Sequence, residues 1–149
     1  SSMILLPEVD SIDLYGKKVV IMHGDTLCTL DIDYQAFRKK SRSWWWPKLI
    51  LLLPLSVRRK KAADYRKRSK AATAIKSQAI MDVTPSEVVQ CLELNKSQIL
   101  IHGHTHRPAI HNIEANGLPA QRLVLGDWYE QGAWLKVTKD EMVLLNNSL

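Results

Sequence analysis

Two short apolar runs each break off into a histidine-bearing loop, and this repeated pattern constrains the fold more than any other feature of the chain. Val19-Val20-Ile21-Met22 leads into His23-Gly24-Asp25, and Ile99-Leu100-Ile101 leads into His102-Gly103-His104-Thr105-His106-Arg107-Pro108. Both runs are rich in β-branched residues and apolar at successive positions, which reads as strands buried on both faces. In layered α/β folds the C-terminal ends of such strands collect ligands. The expected fold class is therefore α/β, with histidines presented from two strand ends.

Downstream of Pro108 the pattern changes to short strands over Ala109–Ile113, Gln121–Leu125, Ala133–Val137 and Met142–Leu145. Asn116-Gly117, Gly126-Asp127 and Lys139-Asp140 separate them at hairpin spacing, so the C-terminal third is expected to be antiparallel β. Residues 31–96 are helical in character. Thr84-Pro85-Ser86-Glu87 opens one helix, with Thr84 as candidate N-cap and Pro85 at the first helical position, running to about Asn95. Ala62–Met81 holds no Gly or Pro and reads as a long helix with a basic face. Residues 38–80 are expected to form a helical insertion that covers the site.

Charge is distributed unevenly. The chain of 149 residues carries a formal charge of +6, yet residues 38–76 hold 14 of its 21 Lys and Arg and one acid, Asp64. This window also contains Trp44-Trp45-Trp46 and the apolar run Leu49–Leu55. Basic residues interleaved with Trp and Leu suit an anionic lipid surface or a phosphate-bearing ligand, and no nucleic-acid partner is expected. A solvated Lys-rich helix, or an insertion with its own Trp and Leu core, is the plainer alternative. The apolar run is broken by Pro54 and falls far short of the roughly 20 residues a membrane span requires. Residues 1–15 carry Glu8, Asp10 and Asp13 and lack the form of a signal peptide. Cys28 and Cys91 have no paired spacing, which suggests a reduced, cytosolic chain.

Three of the five histidines fall between residues 102 and 106. On an extended segment, residues two apart project to one side, so His104 and His106 are expected to converge while His102 points away or supports the fold. Gly103 would let the backbone approach closely. His23, alone, would read as a structural residue; with Gly-His-Thr-His it becomes a candidate ligand. Asp25 could bind metal or hold its loop through backbone N–H groups, and the loop role is favoured. Asp127, in Leu-Gly-Asp-Trp, reads as structural.

The segments Met22-His23-Gly24-Asp25-Thr26-Leu27-Cys28-Thr29, Asp31, Tyr34-Gln35-Ala36-Phe37-Arg38, Ala79-Ile80-Met81-Asp82-Val83 and Ile101 to Ala109 closely resemble the UDP-2,3-diacylglucosamine diphosphatase family of calcineurin-like metallophosphoesterases. The resemblance covers nearly the whole chain. It implies a four-layer α/β/β/α sandwich with a helical insertion cap, of which residues 1–149 would be the C-terminal portion. It further implies hydrolysis of the pyrophosphate of UDP-2,3-diacylglucosamine to 2,3-diacylglucosamine 1-phosphate and UMP, in lipid A biosynthesis. The cofactor would be Mn2+, two ions per complete site, and the location the cytoplasmic face of the inner membrane, held peripherally.

By the same resemblance His23 and His104 would ligate one metal and His106 the other, with His104 also near the substrate phosphate as the catalytic residue. Asp31 matches the acid that contacts the glucosamine headgroup. Ser69 and Lys76 match positions that hold headgroup and phosphate, and their spacing of seven is two helical turns. Thr73 lies between them and would add a hydroxyl contact. Arg107 would orient the loop or touch phosphate. The family's Asp-x-His, metal-bridging Gly-Asp and Gly-Asn-Arg-Asp motifs do not occur in this sequence, so three imidazoles without a bridging carboxylate are not expected to hold two metals unaided. Two rivals follow: a metallophosphoesterase for another phosphoester, or a chain that binds without turnover.

Overall fold

The computed structural model describes residues 3–75, 77–128 and 131–148, and these fall into two compact units. One comprises the chain up to Leu27 together with everything from Val83 onward; the other is Cys28–Asp82.

The first unit is built on a five-stranded sheet in the order β1-β2-β3-β5-β4. Its strands are β1 (Val9–Leu14), β2 (Lys17–Met22), β3 (Ile99–His102), β4 (Ala109–Ala115) and β5 (Leu118–Val124). The two apolar runs singled out above are β2 and β3. They pair in parallel, with Val19 opposite Ile99 and Met22 opposite His102. Central position explains their composition, since Val19, Val20 and Leu100 are fully buried.

The C-terminal third is not purely antiparallel. β4 and β5 form an antiparallel hairpin through Asn116-Gly117, but β5 also pairs in parallel with β3, making the sheet mixed. The hairpin β6 (Gln131–Val137) and β7 (Met142–Ser148) forms a separate two-stranded sheet. β1 pairs antiparallel with β2 at the sheet's edge. It was invisible to the pattern reading because Val9-Asp10-Ser11-Ile12-Asp13-Leu14 is only partly buried and too polar to stand out.

Helix α5 (Pro85–Asn95) packs on β3 and β4, burying Val88 and Leu92, four residues apart and hence on one face. Pro85 stands at its start, as expected. Thr84 occupies the N-cap, as expected, with extended backbone, although its side chain makes no capping bond. Instead its backbone N–H donates to the Leu27 carbonyl at 2.8 Å, joining the two points where the chain leaves and re-enters this unit. At the other end Lys96 takes a left-handed conformation, φ 51°, to close the helix.

The second unit is helical: α1 (Ile32–Ser41), α2 (Trp46–Leu51), α3 (Leu55–Ile75) and α4 (Gln78–Met81). The long basic helix begins seven residues before the expected Ala62 and ends before Met81. Pro54 sets its start, its carbonyl accepting from Arg58 N–H at 3.0 Å. No helix among the described residues is long and apolar enough to cross a membrane.

Candidate metal-binding site

Because β2 and β3 run in parallel, the loops that follow them leave the sheet at the same end. Gly103 N–H donates to the His23 carbonyl at 3.1 Å, carrying the ladder one step past the strands. The His23 and His104 rings then face one another with centroids 5.0 Å apart, tilted by 58°. The two histidines matched to one metal are thus neighbours.

The route by which His104 and His106 reach the site differs from the extended segment expected. Both have left-handed backbone, φ 64° and 51°. Thr105 N–H donates to the Gly103 carbonyl at 2.8 Å, so His104 is the central residue of a tight turn of the positive-φ γ type, a rare and strained form. Side-chain-bearing residues held at positive φ cost of order 1–3 kcal/mol each, and such outliers cluster where function fixes them. The Thr105 hydroxyl oxygen between them is buried and has no hydrogen-bond partner among the described residues.

Each outer histidine meets an aspartate. Nδ1 of His23 lies 3.1 Å from Oδ1 of Asp25, a residue 2% exposed at the head of a short 3-10 turn, Asp25–Leu27. Nδ1 of His106 lies 3.6 Å from Oδ2 of Asp127. The sequence favours a loop role over metal binding for Asp25 and a structural role for Asp127, and does not foretell these contacts, which depend on tertiary placement. His102 is buried at the end of β3 with Nδ1 2.9 Å from the Gly103 carbonyl oxygen, the supporting position expected of it. The glycine that matters here is Gly24, not Gly103. A Cβ on Gly24 would sit 2.7 Å from His102 Nδ1, and its φ is +102°; a Cβ on Gly103 would find only the His23 carbonyl oxygen, at an ordinary 3.8 Å.

The donor chemistry suits a divalent transition metal, for which neutral imidazole is a common ligand. His23 and His104 can face one ion together. Among the described residues, however, no group of three or more His, Cys, Asp or Glu side chains is gathered tightly enough to hold a metal. The fit is thus that of two donors to one ion, with His106 set apart beside Asp127.

In the helical unit, Asp31 caps α1, its Oδ1 accepting from Tyr34 N–H at 3.1 Å. Asp31 and Ser69, two of the residues matched to headgroup contacts, line one cavity of about 310 Å³ with Tyr34, Phe37, Tyr65 and Arg68. A second cavity of about 380 Å³ lies between Trp46, Ile50, Arg58 and Tyr65. Lys76 lies outside the described residues, as does the side chain of Thr73. Trp44 is 78% exposed and Leu52 82%, so these residues do not form a core of the insertion. Lys40 and Lys48 place their ammonium groups 4.1 and 5.3 Å from the rings of Trp46 and Trp44.

Comparison with known proteins finds relatives that bear the name of the enzyme family the motifs resemble. The UDP-2,3-diacylglucosamine hydrolase of Klebsiella pneumoniae subsp. pneumoniae is 53% identical over 98% of this chain and 61% of its own length. That of Salmonella arizonae is 54% identical over 97% of the chain and 60% of its own, and that of Escherichia fergusonii 53% over 98% and 61%. No family model matches the chain. The chain is thus homologous to UDP-2,3-diacylglucosamine hydrolases, and it spans about 60% of the length of these curated relatives.

Proposed function

On the premise of that homology, we propose that the chain forms part of a hydrolase that splits the pyrophosphate bond of UDP-2,3-diacylglucosamine into 2,3-diacylglucosamine 1-phosphate and UMP. The observation that carries this reading is the meeting of His23 and His104 at the shared end of β2 and β3, in a chain about half identical to enzymes of that name. In the whole protein the sheet would belong to a four-layer α/β/β/α sandwich, and residues 38–80 to a helical cap.

Within this reading His23 and His104 would hold one Mn2+ and His106 the second, and bound ions would lower the pKa of a water and offset phosphate charge. The chain's own residues mostly position. His104, fixed in its turn, stands at the substrate phosphate; Asp31 and Ser69 accept and donate around the glucosamine headgroup, joined by Thr73; Lys76 balances phosphate charge. Arg107 steadies the loop or reaches a phosphate oxygen. The exposed Trp44, Leu51 and Leu52, with the basic window around them, rest on the anionic cytoplasmic face of the inner membrane, where a substrate with two acyl chains resides.

A second reading has a specific observation behind it. Only two imidazoles converge among the described residues, which favours a chain that, by itself, binds metal weakly and does not turn over. Metal content and UMP release, measured on this chain and on a protein of the relatives' full length, separate the two. The longer protein is expected to bind two ions and release UMP. Two bound ions without UMP release sink the substrate assignment, and full activity in His104→Ala sinks the site. Association with anionic vesicles is expected at low salt and should be lost in Trp44→Ser/Leu52→Ser; no association by the parent chain sinks the membrane role.

A further inference from the structure

The two outer histidines share an arrangement that neither the motifs nor the relatives' names assign. In each, Nδ1 is turned toward an aspartate oxygen: Asp25 at 3.1 Å from His23 and Asp127 at 3.6 Å from His106. A neutral imidazole carries one N–H, and which nitrogen bears it is decided by the partner of the other. A carboxylate can only accept. A ring whose Nδ1 faces a carboxylate therefore keeps its proton there and leaves the Nε2 lone pair outward.

From this the geometry points to Asp25 and Asp127 as positioning residues: two carboxylate braces that fix His23 and His106 as Nδ1–H tautomers, so that each offers Nε2 to a divalent metal. The inference rests on the metal-site reading above for what Nε2 faces, but the tautomers themselves do not depend on it. Metal-bound histidines commonly rely on such outer partners, whose loss weakens metal affinity about 10- to 100-fold.

The two braces differ in strength. The Asp25 side chain is only 3% exposed and its 3.1 Å contact is of hydrogen-bond length; that carboxylate is sheltered from water and must be satisfied from within the fold. The Asp127 side chain is 41% exposed and its contact is longer, so its hold is looser and more open to screening. A purely local role for Asp25, supporting the 3-10 turn at Asp25–Leu27, would leave the ring's tautomer to the solution preference for Nε2–H.

The test is side-chain 15N–1H correlation NMR on the metal-free 149-residue chain, at a pH of about 8.5 where ordinary imidazoles are neutral. His23 and His106 are expected as Nδ1–H tautomers, His23 the more completely. Asp25→Ala, which removes the acceptor, should return His23 toward Nε2–H, and Asp127→Ala should do so for His106. An Nε2–H form of His23 in the parent chain overturns the proposal, whether or not the Asp25 variant folds. So does an unchanged His23 tautomer in a folded Asp25→Ala chain. Titration with Mn2+ alone, followed by paramagnetic broadening of the histidine rings, reads the metal separately. The midpoint is expected to move up about 10- to 100-fold in Asp25→Ala, and by less in Asp127→Ala. Broadening that is unaffected by either variant also overturns the brace. Rings that never broaden in the parent chain remove the metal half of the proposal for this chain, while the tautomer result stands by itself.

Discussion

At the scale of single residues, the site is defined by atoms the chain brings together from far apart, and this decides which substitutions are felt. Gly24→Ala forces a methyl group to 2.7 Å from the buried His102 ring at a φ that disfavours any side chain. It is expected to cost about 2–3 kcal/mol, whereas Gly103→Ala should stay within about 1 kcal/mol. Urea midpoints of the two variants check the pair, and equal losses would show that the tight contact is not the cause. The sequence could not make this distinction. Both glycines sit in a histidine loop, and only the packing of His102 beneath Gly24 tells them apart. The histidines themselves were legible, because His-Gly-Asp and Gly-His-Thr-His follow apolar runs; their left-handed backbone was not, since no residue type in the segment announces it.

Cys91 adds a pH dependence of known sign. Burial pushes its thiol above the ordinary 9.0, so the neutral form is favoured by folding. The associated stability is fully present below pH 9 and is lost as pH rises through the raised value. Stability measured from pH 8 to 10.5 should fall more steeply in the parent chain than in Cys91→Ala; parallel curves would remove the thiol as the source.

At the scale of elements, legibility followed burial. β2, β3 and α5 were readable because each buries a regular pattern of apolar residues against a neighbour. β1 was not, because an edge strand half open to water carries too few apolar residues. The limits of α3 were misjudged for a different reason. Its Ala, Lys and Arg favour helix throughout, so composition alone sets no boundary, and the informative residue was Pro54 before its first turn. The C-terminus of α5 offers a direct check on element energetics. Lys96 adopts φ 51°, a region that costs a side-chain-bearing residue about 1–2 kcal/mol and glycine little. Lys96→Gly is therefore expected to raise stability by about 0.5–1 kcal/mol after the entropy of the added glycine, read as a higher melting temperature. A lower one would mean that the lysine side chain does more for this end than its backbone strain costs.

At the scale of the whole molecule, apolar burial is concentrated in the sheet unit. Val19, Val20, Leu92, Leu100 and Leu123 are fully buried there, while α1 and α2 of the helical unit bury no residue at all. Cooperative opening should follow this division. Hydrogen exchange is expected to be slowest at the amides of β2, β3 and β5, at the level of global unfolding, and about 10- to 100-fold faster in α1 and α3. Equal protection across both units would refute the unequal distribution of stability. The α/β class was accessible from the text because two buried strands and a helix dictate it. The mixed pairing was not, since the parallel match of β5 to β3 is a long-range choice that hairpin spacing does not encode.

The bond from Thr84 N–H to the Leu27 carbonyl has a consequence for how such a chain can change over generations. It clasps the two points between which Cys28–Asp82 is strung, so the sheet needs only that these points meet. The residues beyond the clasp are therefore expected to tolerate lengthening, shortening or exchange as a cassette while the histidine loops keep their place. A chain in which residues 28–82 give way to a short Gly-Ser bridge should keep the sheet unit's fold, visible as retained amide signals for β2 and β3. Their collapse would show that the cassette and its frame are one inheritance rather than two.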